Sequence, residues 1–268
     1  MALIAVLLML QIGCSSEQIT PDNHEGLNAT LWTQTAAEYA ANTLQAYRVA
    51  ASNLDRALAD PQWSAALEQT GDYSSLPPAV MLDLDQTVLD TSTYNARIIR
   101  KFGQHSREQF AQWCRQSTAT AIPGAKEFID YAIAQGVAVI YISARRETLR
   151  DCTAVSLRAL GLPLPEPGQL LLSGTFGVTD KGQHRTRTAT HYRILLLLGD
   201  NLDDFVSGSH SDPATRQALM RRHAGRWGRQ WIILPNPMYG SWESSLYDYD
   251  YKLPRNEKLL RKLQSLQQ

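Results

Sequence analysis

The sequence has little cysteine, no surplus of either charge and no long apolar run. Three cysteines among 268 residues are too few for the disulfide framework on which small secreted domains depend. Lysine and arginine number 26, as do aspartate and glutamate, so the chain lacks the basic excess of a nucleic-acid-binding protein. No apolar stretch reaches the roughly 20 residues of a transmembrane helix. The 44% of hydrophobic residues still suffices for a buried globular core.

The N-terminal segment is typical of an exported protein. Residues 1–10 are continuously apolar, a length that suits the core of a signal peptide. Gly13 and Cys14 follow, and a small residue before a cysteine at this place resembles a bacterial lipobox. We therefore expect a signal peptide over residues 1–14, lipidation of Cys14 and a polar tether over residues 15–28. This predicts an outer-membrane or periplasmic lipoprotein, with an ordinary cleaved secretory signal as the alternative.

The rest of the chain has the pattern of an α/β protein. Apolar residues recur every three or four positions over residues 30–58, which predicts a long helix, and a shorter helix is expected up to residue 67. After Pro77 and Pro78, apolar runs of strand length alternate with helical stretches, which predicts a doubly wound parallel sheet covered on both faces. The predicted strands are residues 79–84, 137–142, 169–172, 194–198 and 231–234. The predicted helices between them are residues 124–134, 147–160, 183–192 and 213–226.

Acidic residues follow two of the predicted strands. Asp83 and Asp85 end the first strand in an Asp-x-Asp-x-Thr pattern, and alternation places both side chains on one side of an extended chain. Two buried like charges this close destabilise each other unless a cation lies between them or they share a proton. Asp200 ends the fourth strand, and Asp203 and Asp204 follow closely. Oxygen ligands at this density favour a hard cation such as Mg2+.

Two further residues suit a phosphate group. Ser143 ends the second strand, where a hydroxyl and the backbone N–H groups of a helix start can both bind phosphate oxygens. Lys181 precedes the helix between the third and fourth strands. Taken singly, such a serine is more often a helix cap and such a lysine a surface residue. Because ligands bind beyond the carboxyl ends of parallel strands, we expect these residues and the acidic ones to converge on one cleft.

The order of these motifs, Asp-x-Asp, serine, lysine and Gly-Asp-x-x-x-Asp, resembles the signature of the haloacid dehalogenase (HAD) superfamily of phosphohydrolases. Residues 83–90, 122–125, 199–205 and 234–243 are, more specifically, similar to the bacterial class C acid phosphatases, a group of lipoprotein 5'-nucleotidases. The resemblance implies a Mg2+-dependent acid phosphatase that acts on small phosphate monoesters, 5'-nucleotides among them, and not on nucleic acid. It implies one domain over residues 29–268, in a monomer or a homodimer. Its expected parts are a core over residues 76–240, helical additions at 29–70 and 91–120, and a C-terminal helix over 254–268.

The resemblance also implies a role for each motif residue. Asp83 attacks the phosphorus and forms an aspartyl-phosphate, while Asp85 protonates the leaving oxygen and later deprotonates a water molecule. Crowding among the carboxylates is expected to keep a proton on Asp85, which favours an acid pH optimum. Ser143 and Lys181 hold the phosphoryl oxygens. The implied metal ligands are the Asp83 carboxylate, the Asp85 backbone carbonyl, Asp200 and Asp204, whereas Asp203 receives no role.

Substrate choice is expected to depend on aromatic residues. The segment over residues 91–120, where this superfamily often inserts a cap, is short and predicts an open cleft. By resemblance, Tyr239 and an aromatic residue of the segment with Phe110 and Trp113 would stack on the substrate. The alternative is that these side chains belong to the core.

Four of the histidines and two of the cysteines receive no role in the expected chemistry. The four histidines at 184, 191, 210 and 223 show no ligand spacing and are expected at the surface or as caps. A disulfide between Cys114 and Cys152 is not the expected state, because the sequence cannot establish that the two residues are close.

Two other classes of function compete with a phosphatase. A binding or uptake lipoprotein on the same fold would have lost the nucleophile, yet Asp83, Asp85 and Lys181 are all present. A metal-dependent glycosyltransferase would need a nucleotide-sugar half-domain before the Asp-x-Asp motif, where residues 28–70 are helical in pattern. Within the phosphohydrolases, an enzyme for sugar or aryl phosphates is the alternative to a nucleotidase.

Overall fold

A computed structural model describes residues 24–101, 103–163, 166 and 168–267. The expected signal peptide, Cys14 and most of the expected tether lie outside these residues. The described chain contains seven strands. They are β1 (Pro78–Asp83), β2 (Leu89–Asp90), β3 (Thr120–Ala121), β4 (Ala138–Arg146), β5 (Leu170–Ser173), β6 (Arg193–Gly199) and β7 (Trp231–Ile233).

Five of these strands form a parallel sheet in the order β5-β4-β1-β6-β7, and β2 pairs antiparallel with β3 outside it. The sheet confirms the predicted α/β fold. Its central strand, β1, is flanked by β4 and β6, with Asp83 opposite Ile142 and Leu82 opposite Leu198. This register brings the carboxyl ends of three strands side by side, and most of the motif residues follow these ends.

Ten α-helices surround the sheet within the described ranges. They are α1 (Leu27–Thr35), α2 (Ala37–Ala59), α3 (Ser92–Arg100), α4 (Arg107–Gln116), α5 (Ala125–Ala134), α6 (Arg150–Ala159), α7 (Lys181–Ala189), α8 (Pro213–Arg222), α9 (Ser241–Ser244) and α10 (Arg255–Gln264). Among the helices that the structure describes, none combines the length and the apolar character that crossing a membrane requires.

The apolar core lies on both faces of the sheet, as a doubly wound fold requires. Successive residues of β1 point to opposite faces because strand side chains alternate. Val80 and Leu82 belong to the cluster that includes residues of α2 and α5, whereas Met81 packs in a second cluster with Phe205 and Trp231. Burial on both faces explains why β1 and β6 are apolar along almost their whole length.

Two predictions about the N-terminal region are wrong. The long helix expected over residues 30–58 is divided at Ala36, whose backbone is extended with φ −78° and ψ 126°. The short helix expected up to residue 67 is not formed. This segment bonds to the sheet instead: the Ala65 N–H donates to Ile194 O at 2.8 Å and the Trp63 indole donates to Leu195 O at 2.8 Å. These long-range hydrogen bonds replace the local ones of a helix.

The expectation of unpaired cysteines is also wrong. Cys114 of α4 and Cys152 of α6 form a disulfide, with their Cα atoms 5.7 Å apart. The segment inserted between β2 and β3 folds back so that α4 packs against α6. The two cysteines are 38 positions apart in the sequence, and no local pattern indicates this contact.

The expectation of surface histidines fails for His184. Its side chain, on α7, is buried, and this burial lowers its pKa. By contrast, His191 and His210 are exposed, as expected, and His223 is half-buried beside Trp231. The buried face of α7 carries mostly polar residues, so hydrophobic periodicity did not identify it.

Candidate active site

The carboxyl edge of the sheet brings together the nucleophile candidate and the lysine. Asp83 is the last residue of β1 and is buried. Lys181, the first residue of α7, donates through its Nζ to Asp83 Oδ1 at 2.6 Å and to Asp204 Oδ1 at 2.5 Å. The predicted convergence of residues 98 positions apart in the sequence is therefore present in the structure.

Three carboxylates form a cluster at this edge. One oxygen from each of Asp83, Asp200 and Asp204 lies within 4.8 Å of the other two. Asp200 Oδ2 accepts a hydrogen bond from Asn236 Nδ2 at 2.7 Å, and Asp204 Oδ2 accepts the Asn201 N–H at 2.9 Å. These bonds hold the carboxylates toward a common point, which is the geometry that an oxygen-coordinated cation requires.

Burial dominates the electrostatics of the cluster. Burial raises the pKa of Asp83 to about 7, against the opposing effect of Lys181 and with the support of Asp204 and Asp85. Burial also raises the pKa of Asp200 well above its ordinary value, and Asp83 and Asp204 add to that rise. Burial alone would lower the pKa of Lys181, but Asp204 and Asp83 outweigh it and raise the pKa. Lys181 contacts the buried Asp83 and Asp204 but makes no hydrogen bond to the half-buried Asp200, so the charges of the three acids are compensated only in part.

The Asp85 carboxylate has a cationic neighbour. Arg145 donates to it twice, through Nη2 to Oδ1 at 2.7 Å and through Nε to Oδ2 at 3.0 Å. The Arg145 side chain is 1% exposed and the Asp85 side chain 20%. Crowding by carboxylates was expected around Asp85, whereas the group that holds it is a guanidinium. Strand alternation could have indicated Arg145, because it lies two residues after Ser143 and so on the same side of β4.

Ser143 lies beside Asp83 on the neighbouring strand. It follows Ile142, which is the partner of Asp83 in the parallel ladder. The side chain is buried, and its Oγ accepts the N–H of Arg145 at 3.1 Å. This hydrogen bond orients the hydroxyl and leaves its proton available for an acceptor in the cleft.

The expected aromatic residues lie in different surroundings. Tyr239 is half-buried, its Oη is 2.8 Å from Thr91 Oγ1, and burial together with Asp85, Asp200 and Asp83 raises its pKa. Trp113 is buried and donates from its indole N–H to Thr93 Oγ1 at 3.0 Å. Phe110 is half-buried. Both of the latter rings lie near Arg145, with the guanidinium carbon 5.4 Å from the Phe110 ring and 5.9 Å from the Trp113 ring.

The sequence does not predict the contacts of two further residues of the site. Gln86 is fully buried at φ 61°, accepts from Tyr39 Oη at 2.9 Å and donates to Thr91 Oγ1 at 3.0 Å. Through Thr91 it connects helix α2 to Tyr239. Asn236 was part of a recognised motif, but its bond to Asp200 was not foreseen. Neither contact has a sequence signal, because each joins segments that are distant along the chain.

Asp203 lies outside the carboxylate cluster. Its Oδ1 accepts from Ser209 Oγ at 3.1 Å. The residue left without a role is therefore apart from the three acids that converge.

The fold and the site define a phosphohydrolase of the HAD type. The model of the family described as HAD superfamily, subfamily IIIB (acid phosphatase), matches residues 4–242, and the chain belongs to this family. The class C acid phosphatase from Bacillus anthracis is similar over 91% of this chain and 97% of its own, with 33% identity and a TM-score of 0.80. A structure of that protein with tungstate bound is similar over the same shares, with 33% identity and a TM-score of 0.79.

These findings confirm the predicted enzyme class. The chain is an acid phosphatase, a hydrolase of phosphoric monoesters. The binding lipoprotein and the glycosyltransferase are not favoured. The resemblance inferred from the motifs of the cleft is confirmed for most of the chain's length.

Proposed function

We propose that this acid phosphatase is Mg2+-dependent, forms an aspartyl-phosphate on Asp83 and accepts 5'-nucleotides among its substrates. The observation that carries the proposal is the contact of Lys181 with Asp83 at 2.6 Å, inside a cluster of three converging carboxylates. It combines a nucleophile, a phosphate-binding cation and a set of metal ligands at one edge of the sheet.

The carboxylate cluster fits a divalent cation. Asp83, Asp200 and Asp204 would supply oxygen atoms, together with the backbone carbonyl of Asp85, and Mg2+ prefers such ligands. The ammonium group of Lys181 compensates the negative charge of the three carboxylates only in part. A bound cation is therefore favoured, because like charges in a buried site destabilise one another. When bound, the ion would offset the repulsion between the phosphate and the Asp83 carboxylate.

The protein groups account for both halves of the reaction. An oxygen of Asp83 attacks the phosphorus, the ester P–O bond breaks, and Asp85 gives its proton to the leaving oxygen. Water then attacks the phosphorus of the aspartyl-phosphate, Asp85 takes a proton from it, and phosphate leaves with Asp83 regenerated. Lys181 and the Ser143 hydroxyl hold the phosphoryl oxygens as charge develops on them.

The related protein supports the binding of an oxyanion. The Bacillus anthracis enzyme has been solved with tungstate bound. Tungstate and phosphate are both tetrahedral oxyanions, so the binding of one is consistent with a site for the other. We assign the cleft formed by Asp83, Ser143 and Lys181 to the phosphate group of the substrate.

An aromatic residue at the cleft supports the inclusion of nucleotides. Tyr239 follows strand β7, whose carboxyl end lies at the same edge of the sheet as that of β6. Burial raises the pKa of its phenol, and Asp85 and Asp200 add to that rise. Its bond to Thr91 fixes the ring, and such a ring can stack on a nucleobase. An aryl or sugar phosphatase that makes little use of nucleotides is the second candidate, since the same ring also suits an aryl ester.

An exported location is also part of the proposal. Disulfides persist in oxidising compartments and are rare in the cytosol, so the Cys114–Cys152 bond supports export. We propose that Cys14 is lipidated and anchors the enzyme to the outer membrane or to the periplasmic face of a membrane.

Phosphate release tests the proposed function. The protein without residues 1–14 is supplied with p-nitrophenyl phosphate or a 5'-nucleoside monophosphate, with Mg2+ or EDTA, at mildly acid and neutral pH. We expect Mg2+-dependent release that is abolished by Asp83→Asn and retained by Asp203→Asn, a nearby carboxylate outside the cluster. No release by a folded protein supplied with Mg2+ would contradict the proposal.

A further inference from the structure

We propose that the Cys114–Cys152 disulfide is a positioning element for Asp85, which it serves by fixing the surroundings of Arg145. The inference rests on the proposed function, in which Asp85 transfers protons. It assigns to the disulfide a part in the reaction in addition to its effect on stability.

The Asp85 carboxylate is held by the guanidinium of Arg145. Two nitrogens of the guanidinium, Nε and Nη2, face the carboxylate in a bidentate arrangement. A bidentate fork fixes the orientation of its partner as well as its distance. The position of the Asp85 carboxylate therefore depends on how the guanidinium plane is held.

The side of the Arg145 guanidinium that faces away from Asp85 contacts two helices. Its Nη1 donates to Thr153 Oγ1 of α6 at 3.0 Å and lies 3.6 Å from Cys114 Sγ of α4. The rings of Phe110 and Trp113, also on α4, lie within 6 Å of the guanidinium carbon. Arg145 is thus enclosed between α4 and α6, and aromatic faces attract a guanidinium group at this range.

The disulfide links these two helices covalently. Cys114 directly follows Trp113, and Cys152 directly precedes Thr153. The disulfide therefore joins the two points of the chain from which Arg145 is held. Helix α4 belongs to the inserted segment between β2 and β3, whereas α6 follows the core strand β4. Without the bond, α4 and its aromatic rings would be held by noncovalent contacts alone, such as the hydrogen bond from Trp113 to Thr93.

The expected consequence is a selective loss of proton transfer. A shift of about 1 Å in a reacting group costs up to about a hundredfold in rate. A displaced Asp85 would hinder the departure of an alkoxide, which needs a proton. It would affect p-nitrophenolate much less, because this leaving group is stable as an anion. General destabilisation of the fold would lower the turnover of both esters alike.

The experiment compares kcat/KM for glycerol 2-phosphate and for p-nitrophenyl phosphate, since this parameter includes the departure of the leaving group. The full chain, with Mg2+, carries Cys114→Ser together with Cys152→Ser. The control is Ile129→Val, a buried substitution that lies in α5, outside the two helices that the disulfide joins, and lowers stability. We expect the double variant to lose about tenfold or more with glycerol 2-phosphate and less than about threefold with p-nitrophenyl phosphate.

The outcomes separate the two proposals. Absence of turnover in the wild-type protein contradicts the proposed function before any variant is compared. An equal loss on both esters, or no loss on either, overturns the positioning role and leaves the disulfide a stabilising bond only. If the double variant does not fold, folded wild-type protein is treated with dithiothreitol, which becomes a cyclic disulfide as it reduces the bond to two thiols. The same two esters are then compared, and an equal loss or no loss again overturns the proposal.

Discussion

Lys181 donates through its ammonium group to Asp83 Oδ1 at 2.6 Å, so the proposed nucleophile and the proposed phosphate ligand are in direct contact. The same ammonium reaches Asp204 Oδ1 at 2.5 Å, and all three side chains are nearly or fully buried. The lysine therefore orders the cleft before any substrate enters. It also supplies the only cationic side chain within hydrogen-bond distance of the carboxylate cluster among the described residues.

Lys181→Met is expected to affect both catalysis and stability. Loss of one group that stabilises charge on the reacting oxygens typically costs about a hundredfold to a thousandfold in kcat. Removal of one partner of a buried ion pair costs about 3–5 kcal/mol, because the remaining charges lose their compensation. We expect Mg2+ to restore part of this stability, measured as the rise in melting temperature between EDTA and Mg2+. The surface variant Lys126→Met should show neither effect, and equal behaviour of the two variants would contradict the role of Lys181.

The metal-free protein is expected to lose stability as the pH rises from about 5 to 7. Burial raises the pKa of Asp83 to about 7, so between about pH 4 and 7 the folded chain binds a proton that the unfolded chain does not. The free energy of unfolding therefore falls as pH rises through this range. Thermal melts in EDTA at pH 5 and pH 7.5 measure the difference for the wild type and for Asp83→Asn. A drop that is no smaller in the variant would show that Asp83 is not the group responsible.

Gly199→Ala is expected to disrupt the carboxylate cluster. A Cβ at this position, the last residue of β6, would lie 2.2 Å from Asp204 Oδ2 and 2.4 Å from its Cγ. Such distances force Asp204 away from Lys181 and from the other acids. We expect loss of most activity and of the stabilisation by Mg2+, both measured beside Gly225→Ala, where the added Cβ meets no atom within 4 Å. Full activity in Gly199→Ala would mean that Asp204 is dispensable at its present position.

The ends of the strands could be predicted from the sequence because their signals are local. Apolar runs of strand length and the polar residues after them lie within a few positions of each other, as in Asp83 after β1 and Asp200 after β6. Parallel topology then places all such ends at one edge. The convergence of Asp83 and Asp200, which Asp204 closely follows, comes from these two facts. Lys181 instead begins helix α7 beyond β5, so its place at this edge also depends on how α7 packs.

The contacts that the sequence did not predict join distant segments. Arg145 and Asp85 are 60 residues apart, and Cys114 and Cys152 are 38 apart. The same holds for Trp63, whose bond to Leu195 replaces the expected short helix. Periodicity can place a residue such as Arg145 on one side of its strand, but it does not identify a distant partner, since that depends on how the segments pack in three dimensions. The surroundings of Asp85 were misjudged for this reason.

Cys14→Ala is expected to release the protein from the membrane fraction. Lipidation requires the thiol of Cys14. Without the lipid, the polar residues that remain after cleavage of the signal peptide provide no stable membrane anchor. Fractionation of cells that express each protein, with immunodetection and labelling by a radioactive fatty acid, measures the change. Cys114→Ala serves as a control because it removes a cysteine that is not the proposed lipid site. Equal labelling of wild type and Cys14→Ala would contradict the proposed anchor.

Tyr239→Ala is expected to weaken nucleotide binding selectively. A base stacked on an aromatic ring loses about 1–3 kcal/mol on truncation to alanine, so the KM for a 5'-nucleotide should rise about fivefold or more. Glycerol 2-phosphate has no ring to stack, and its KM should change much less. Tyr239→Phe keeps the ring and removes only the bond to Thr91, so it should retain nucleotide preference unless that bond sets the orientation of the ring. A similar rise in KM for both substrates in Tyr239→Ala would mean that Tyr239 shapes the cleft and does not stack on a nucleobase. It would favour a phosphatase without nucleotide selectivity.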